Sequence, residues 1–135
     1  MAVTDEIVDF YSSILNGTLE HFASVAGPEP IDVLVRPALE KVSADHTFLQ
    51  VSKVEGGKLV AGEISADAEV VKEGFSELLK AMADSLSYVF GSETVIRKAR
   101  EIYAEVAAKN EKLIEDARLD RALPAFLAEE IWEEV

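Results

Sequence analysis

Apolar residues recur three or four apart through most of the chain, the period of an amphipathic helix. In the first stretch Ile7, Phe10, Tyr11, Ile14, Thr18, Phe22 and Val25 form one mostly apolar stripe, which predicts a helix over residues 4–26. Thr4 is placed to cap it, Asp5 and Glu6 complement the positive helix start, and Gly27-Pro28 ends it. Gly17 lies inside this helix, where it costs about 1 kcal/mol against Ala and leaves room for a neighbouring backbone. Ile31, Leu34, Val35, Ala38, Leu39 and Val42 give a second helix over residues 30–43, with Pro30 in its first turn. Pro37 sits inside it and predicts a kink or break near Val33–Arg36.

The pattern then changes. Thr47-Phe48-Leu49-Gln50-Val51-Ser52-Lys53-Val54 is rich in strand formers, and Leu59-Val60-Ala61-Gly62-Glu63-Ile64 follows a Glu55-Gly56-Gly57-Lys58 turn. A β-hairpin over residues 47–64 is expected, with Gly56 and Gly57 at positive φ on an exposed tip. A lone hairpin is marginal in water, so this one packs on helices or pairs through its open edge.

The helical period returns at residues 67–90 with Val71, Phe75, Leu78, Leu79, Met82, Leu86 and Val89, between an Asp67 cap and a Gly91 stop. Residues 92–117 follow with Ser92 as cap and a near-heptad of Val95, Ala99, Ile102, Val106, Leu113 and Ala117, interrupted at Lys109-Asn110. A last helix is expected over residues 124–134, where Phe126, Leu127, Ile131 and Trp132 are apolar. Its acidic end, Glu129-Glu130 and Glu133-Glu134, lies at the unfavourable pole of the helix dipole and frays unless Trp132 docks. The fold class is therefore α+β, mainly α. It is a single globular domain over residues 1–135, a bundle of about five helices with one hairpin inserted between the second and third.

Composition narrows the function classes. Thirteen Lys+Arg against twenty-six Asp+Glu leave a formal charge of −13, and the pI is about 4.5. Nucleic acid and anionic membrane surfaces are disfavoured as partners. The chain has no Cys, which removes disulfides and thiolate chemistry. No basic residue precedes Arg36 and no long apolar window exists, so neither a secretory signal nor a membrane span is expected, and the cytoplasm is the default compartment.

Candidate chemistry is sparse. No nucleophile elbow surrounds Ser12, Ser13 or Ser24, and Gly56-Gly57-Lys58 lacks the spacing of a phosphate loop. His21 and His46 form a metal site only if folding joins them to a carboxylate; the simpler reading is no metal and no cofactor. The one basic cluster, Arg97-Lys98-Ala99-Arg100, follows the predicted helix start Ser92-Glu93-Thr94. Ser92, Thr94, Arg97 and Arg100 are thus the candidate residues for an anion or an acidic partner group. The competing reading is that these bases pair with Glu93, Glu101 and Glu105.

Within residues 86–127, Tyr88-Val89-Phe90-Gly91, Arg97-Lys98-Ala99-Arg100-Glu101-Ile102-Tyr103 and Leu123-Pro124 resemble helical segments of archaeal signalling chains, those of sensor kinases and of circadian-clock-type RecA-fold ATPases. Kinase motifs and a Walker loop are not present. The resemblance implies a stand-alone accessory or sensory module, not an enzyme, and assigns no functional residues. The expected function is a non-enzymatic interaction or regulatory module. It forms a twofold homodimer, because the first, fourth and fifth segments carry more apolar face than a three-helix core needs and the hairpin has an open edge. A further protein partner is also open to it. The alternative is a small-ligand sensor with a pocket between hairpin and helices; a small enzyme ranks below both.

Overall fold

The computed structural model describes residues 3–128. Its elements are α1 (Val3–Ala26), α2 (Pro28–Asp45), β1 (Lys53–Glu55), β2 (Lys58–Val60), α3 (Ala68–Phe90), α4 (Ser92–Ala108), α5 (Glu111–Ala117) and α6 (Ala125–Ala128). The chain is mainly helical, with the two-stranded antiparallel hairpin between α2 and α3. Helix α1 packs on α2, α3 and α4, and α2 lies against α3. The apolar period of α1 explains its central place. Ile7, Phe10, Tyr11, Ile14, Leu15, Leu19 and Phe22 are all buried, a broad apolar face at the i, i+3, i+4, i+7 spacing of an amphipathic helix. Tyr11 stacks on Phe75 at 5.6 Å between ring centroids, and Phe10 meets Tyr11 edge-on at 5.4 Å. Gly17 does mark a close approach, but of a side chain. A Cβ there would lie 2.7 Å from Cγ2 of Ile102 in α4.

Several expectations need correction. Helix α1 starts at Val3, so Thr4 is inside it. Helix α2 runs unbroken through Pro37. Pro37 and Val33 are exposed, so the Val33 carbonyl that loses its donor is open to hydration and no break is forced. Ser92 is the first helical residue and the cap position falls on Gly91, whose φ of 91° turns α3 into α4 in one step. The helix expected over residues 92–117 is two helices, parted at Lys109-Asn110. Of the helix expected over residues 124–134, only Ala125–Ala128 falls among the described residues; Trp132 and the acidic end lie outside them.

The hairpin is shorter than expected, because Thr47–Val51 forms a 3-10 turn. Leu49 is buried and its neighbour Phe48 packs against the core as well. A strand points adjacent residues to opposite faces, so it could not deliver both. Phe48 fits because Gly74 of α3 has no side chain; a Cβ there would sit 2.5 Å from the ring. In the strands, Val54 pairs with Leu59 and both face the core. The turn holds Gly56 and Gly57 at φ of 65° and 80°, as the Gly-Gly pair requires. The exposed tip is half right, since Gly56 is exposed and Gly57 is buried. The cause is Asp32 of α2, whose two carboxylate oxygens accept the Gly56 and Gly57 amides at 2.9 and 2.7 Å.

The open edge is also corrected. Asn16 of α1 takes both outward groups of Leu59, its amide nitrogen donating to the carbonyl at 3.1 Å and its oxygen accepting the N–H at 2.7 Å. On the other strand, Arg36 donates to the Val54 carbonyl at 3.3 Å. Side chains therefore occupy the positions where a further strand would pair.

Candidate functional site

Several clefts open on the surface of the described residues, and the first holds most of the sequence-derived candidates. Ser92, Arg97 and Arg100 line an open groove of about 970 Å³ along α4, together with Ile96, Tyr103, Ala104, Ala107 and Leu127. Thr94 is exposed and is not among the lining residues. Arg97 contacts Glu93 at 3.6 Å, and Lys98 contacts Glu101 at 3.1 Å. Arg100 does not pair with Glu105 in the helical manner expected. Its Nε donates to the Phe126 carbonyl at 2.7 Å, fastening α6 to α4.

Two similar clasps hold the segment before α6. Lys72 of α3 is buried, and its Nζ donates to the Ala117 carbonyl at 2.8 Å while meeting Glu69 at 2.7 Å. An ammonium at the last carbonyl of α5 complements the negative end of that helix. The Tyr11 hydroxyl donates to the Ala122 carbonyl at 3.2 Å. Burial, with a smaller effect from Tyr103, pushes the Tyr11 phenol well above its ordinary range. It stays a neutral donor across physiological pH.

The second place is where the helical stripes overrun the core. Val25 of α1 and Val89 of α3 belong to the predicted apolar stripes, yet both are exposed. They end close together, since Phe22 and Phe90 pack at 4.5 Å between centroids. An open cleft of about 470 Å³ lies there, lined by Ala26, Glu29, Pro30, Ile31, Val33, Leu34, Val89 and Phe90. Val33 is 68% exposed, Val89 63% and the adjacent Tyr88 94%. The third place, between hairpin and α2, is a shallow cleft of about 290 Å³ with Arg36, Glu40, Gln50 and Lys53 on its rim.

The histidines are engaged separately. His46 Nε2 contacts Glu77 at 3.1 Å, and His21 meets Phe22 edge-on at 4.8 Å. Among the described residues, no group of three or more His, Cys, Asp or Glu is arranged to hold a metal ion. Ser24 donates to the His21 carbonyl, and the Ser12 hydroxyl is buried with no partner among the described residues. Among the described residues no helix is long and apolar enough to cross a membrane. Comparison with protein-family models, curated proteins and solved structures finds no significant match, so geometry and chemistry alone carry the functional reading. Sequence reasoning missed the bundle-end cleft because a stripe shows which residues are apolar, not where the partner helices stop.

Proposed function

We propose that the chain is a non-enzymatic interaction module that self-associates as a twofold dimer through the bundle-end cleft. The observation that carries this reading is the exposure of Val33 of α2 and Val89 of α3, which line the same bundle-end cleft. Monomeric surfaces scatter their apolar residues; a contiguous patch marks a contact. The occupant is a second copy, for an electrostatic reason. In a chain of charge −13, two copies repel over most of their surfaces. The cleft has one charged residue, Glu29, among its eight lining residues, so two copies approach there with the least repulsion. A twofold axis presents the same apolar cleft on both copies, so every contact made across it occurs twice. We extend to this module the accessory, regulatory role that the resemblance of residues 86–127 implies.

The test is light scattering across the micromolar range. The expected result is a species of twice 14.7 kDa, and a monomer after Val33→Glu with Val89→Glu. Both side chains are largely exposed, so the double variant keeps its helical circular dichroism and its melting temperature within a few degrees. A wild-type chain that stays monomeric, or a double variant that stays dimeric, overturns the proposal.

A further inference from the structure

We infer that the arm after α4, residues 109–128, detaches from the bundle and melts as one unit while α1, α2, α3 and the hairpin stay folded, so that the fold carries a strap poised to open. The inference concerns a different part of the molecule from the dimer contact and stands without it.

Connectivity is the first support. The helical ladder of α4 stops at Ala108, and the Asn110 side chain donates back to the Val106 carbonyl at 2.7 Å. Beyond that break, backbone bonds run between the arm's own residues, from Ile114 to Asn110, Arg121 to Arg118, Ala122 to Leu119 and Leu127 to Pro124. Side chains of the bundle tie it down, Lys72 at the Ala117 carbonyl, Tyr11 at that of Ala122 and Arg100 at that of Phe126. Opening exchanges these bonds for bonds to water and leaves the ladders of α1, α2 and α3 intact.

Burial is the second support. Helix α5 has no buried residue, and in the rest of the arm Leu119, Pro124 and Leu127 are buried. Helix α1 buries Ile7, Phe10, Tyr11, Ile14, Leu15, Leu19 and Phe22. A segment with few buried apolar contacts opens before one with many.

The third support is the arm's own backbone. Arg118, at φ 56° and ψ 43°, is the one non-glycine residue at positive φ among the described residues, a left-handed conformation that a side chain disfavours. Helix α5 is seven residues long, too short to persist in isolation. Once detached, the arm loses its helix and Arg118 relaxes, which makes the opening one cooperative step. The open state bares the surfaces of α1, α3 and α4 that the arm covers, with Tyr11 among them.

The chain has no Cys, so one introduced thiol reports on one place. Leu119→Cys reads the arm and Val35→Cys reads α2; both parent side chains are fully buried. With an aromatic disulfide reagent, the thiol of Leu119→Cys is expected to react about a hundredfold faster than that of Val35→Cys, with a rate that rises little in dilute urea, because little surface is exposed in the step. Adding Asp32→Ala, which loosens the distant hairpin, should quicken Val35→Cys about a hundredfold and leave Leu119→Cys unchanged. Equal rates at the two positions overturn the inference, as does an equal quickening of both by Asp32→Ala, since the arm then opens only when the whole chain unfolds. Should Leu119→Cys itself loosen the arm, amide hydrogen exchange in the unsubstituted chain decides. The Ile114, Ala122 and Leu127 amides are expected to share one low protection and one shallow urea dependence. Protection that differs among the three means fraying rather than one unit and overturns the inference, and protection equal to that of α1 does the same.

Discussion

The hairpin and the arm after α4 are both too short to stand alone, and both are held by side chains reaching from long helices to backbone groups. They are held differently. The hairpin is clasped on both strands and at its turn, by Asn16, Arg36 and Asp32. Asp32 brings a buried carboxylate to two amides, the strong, charge-assisted kind of bond. The arm, residues 109–128, is fastened at three single carbonyls by Lys72, Tyr11 and Arg100, with Leu119 and Leu127 as its fully buried anchors. The contrast teaches where association is open. Side chains already take the Leu59 backbone groups and the Val54 carbonyl, so a strand added there by a second copy must displace Asn16 or Arg36. Helix faces remain.

The largest effect is expected at the hairpin. Asp32→Ala leaves two amides without their acceptor, one of them buried, and should cost about 3 kcal/mol in chemical denaturation. A cost below 1 kcal/mol would erase the contrast. Next come the two turn glycines. Gly57→Ala combines positive φ with a Cβ 3.1 Å from Ala23 and Pro28, for about 2 kcal/mol. Gly56→Ala has nothing within 4 Å and pays only the backbone term, about 1 kcal/mol. Equal losses would mean that the clasped turn has no inside. In the arm, Lys72→Met keeps the buried stem and loses one carbonyl bond and one ion pair, about 1 kcal/mol. Hydrogen exchange should quicken over residues 109–128 and stay unchanged at β1 and β2.

Tyr11→Phe gives the smallest change at neutral pH, within about 1 kcal/mol. It matters at alkaline pH. The folded phenol titrates above its unfolded value of about 10, so Tyr11 contributes stability below that pH and loses it as pH rises further. Wild-type stability should therefore fall above about pH 10 more steeply than that of Tyr11→Phe; parallel curves would contradict the buried, neutral donor.

Long periodic stretches made α1 to α4 legible, and Gly56-Gly57 made the turn legible, because those signals are local. What failed to show is non-local. Thr47–Val51 has strand propensity, but Leu49 and Phe48 both pack inward, and the 3-10 turn satisfies them together. Asn16 and Asp32 look like ordinary helix-surface residues until the hairpin is folded against them, 43 and 24 or 25 positions away. At the candidate site, Arg97 and Arg100 stood out by charge, but the groove they line did not show in the sequence. Arg100's hold on Phe126 had no local signal. Val25 and Val89 lie on regular apolar stripes and yet are exposed, because periodicity does not show where the neighbouring helices stop.

The central claim is that two like-charged copies meet through a nearly uncharged apolar cleft. Sedimentation equilibrium against salt tests it most directly. Exposed charges are screened beyond about 10 Å at 0.1 M and beyond about 3 Å at 1 M, which removes repulsion between copies while leaving an apolar contact intact. The dimer dissociation constant should therefore fall severalfold as sodium chloride rises over that range. A constant that rises with salt would mean ion pairs hold the copies together, and a monomer at every salt concentration would mean that the cleft does not bring two copies together.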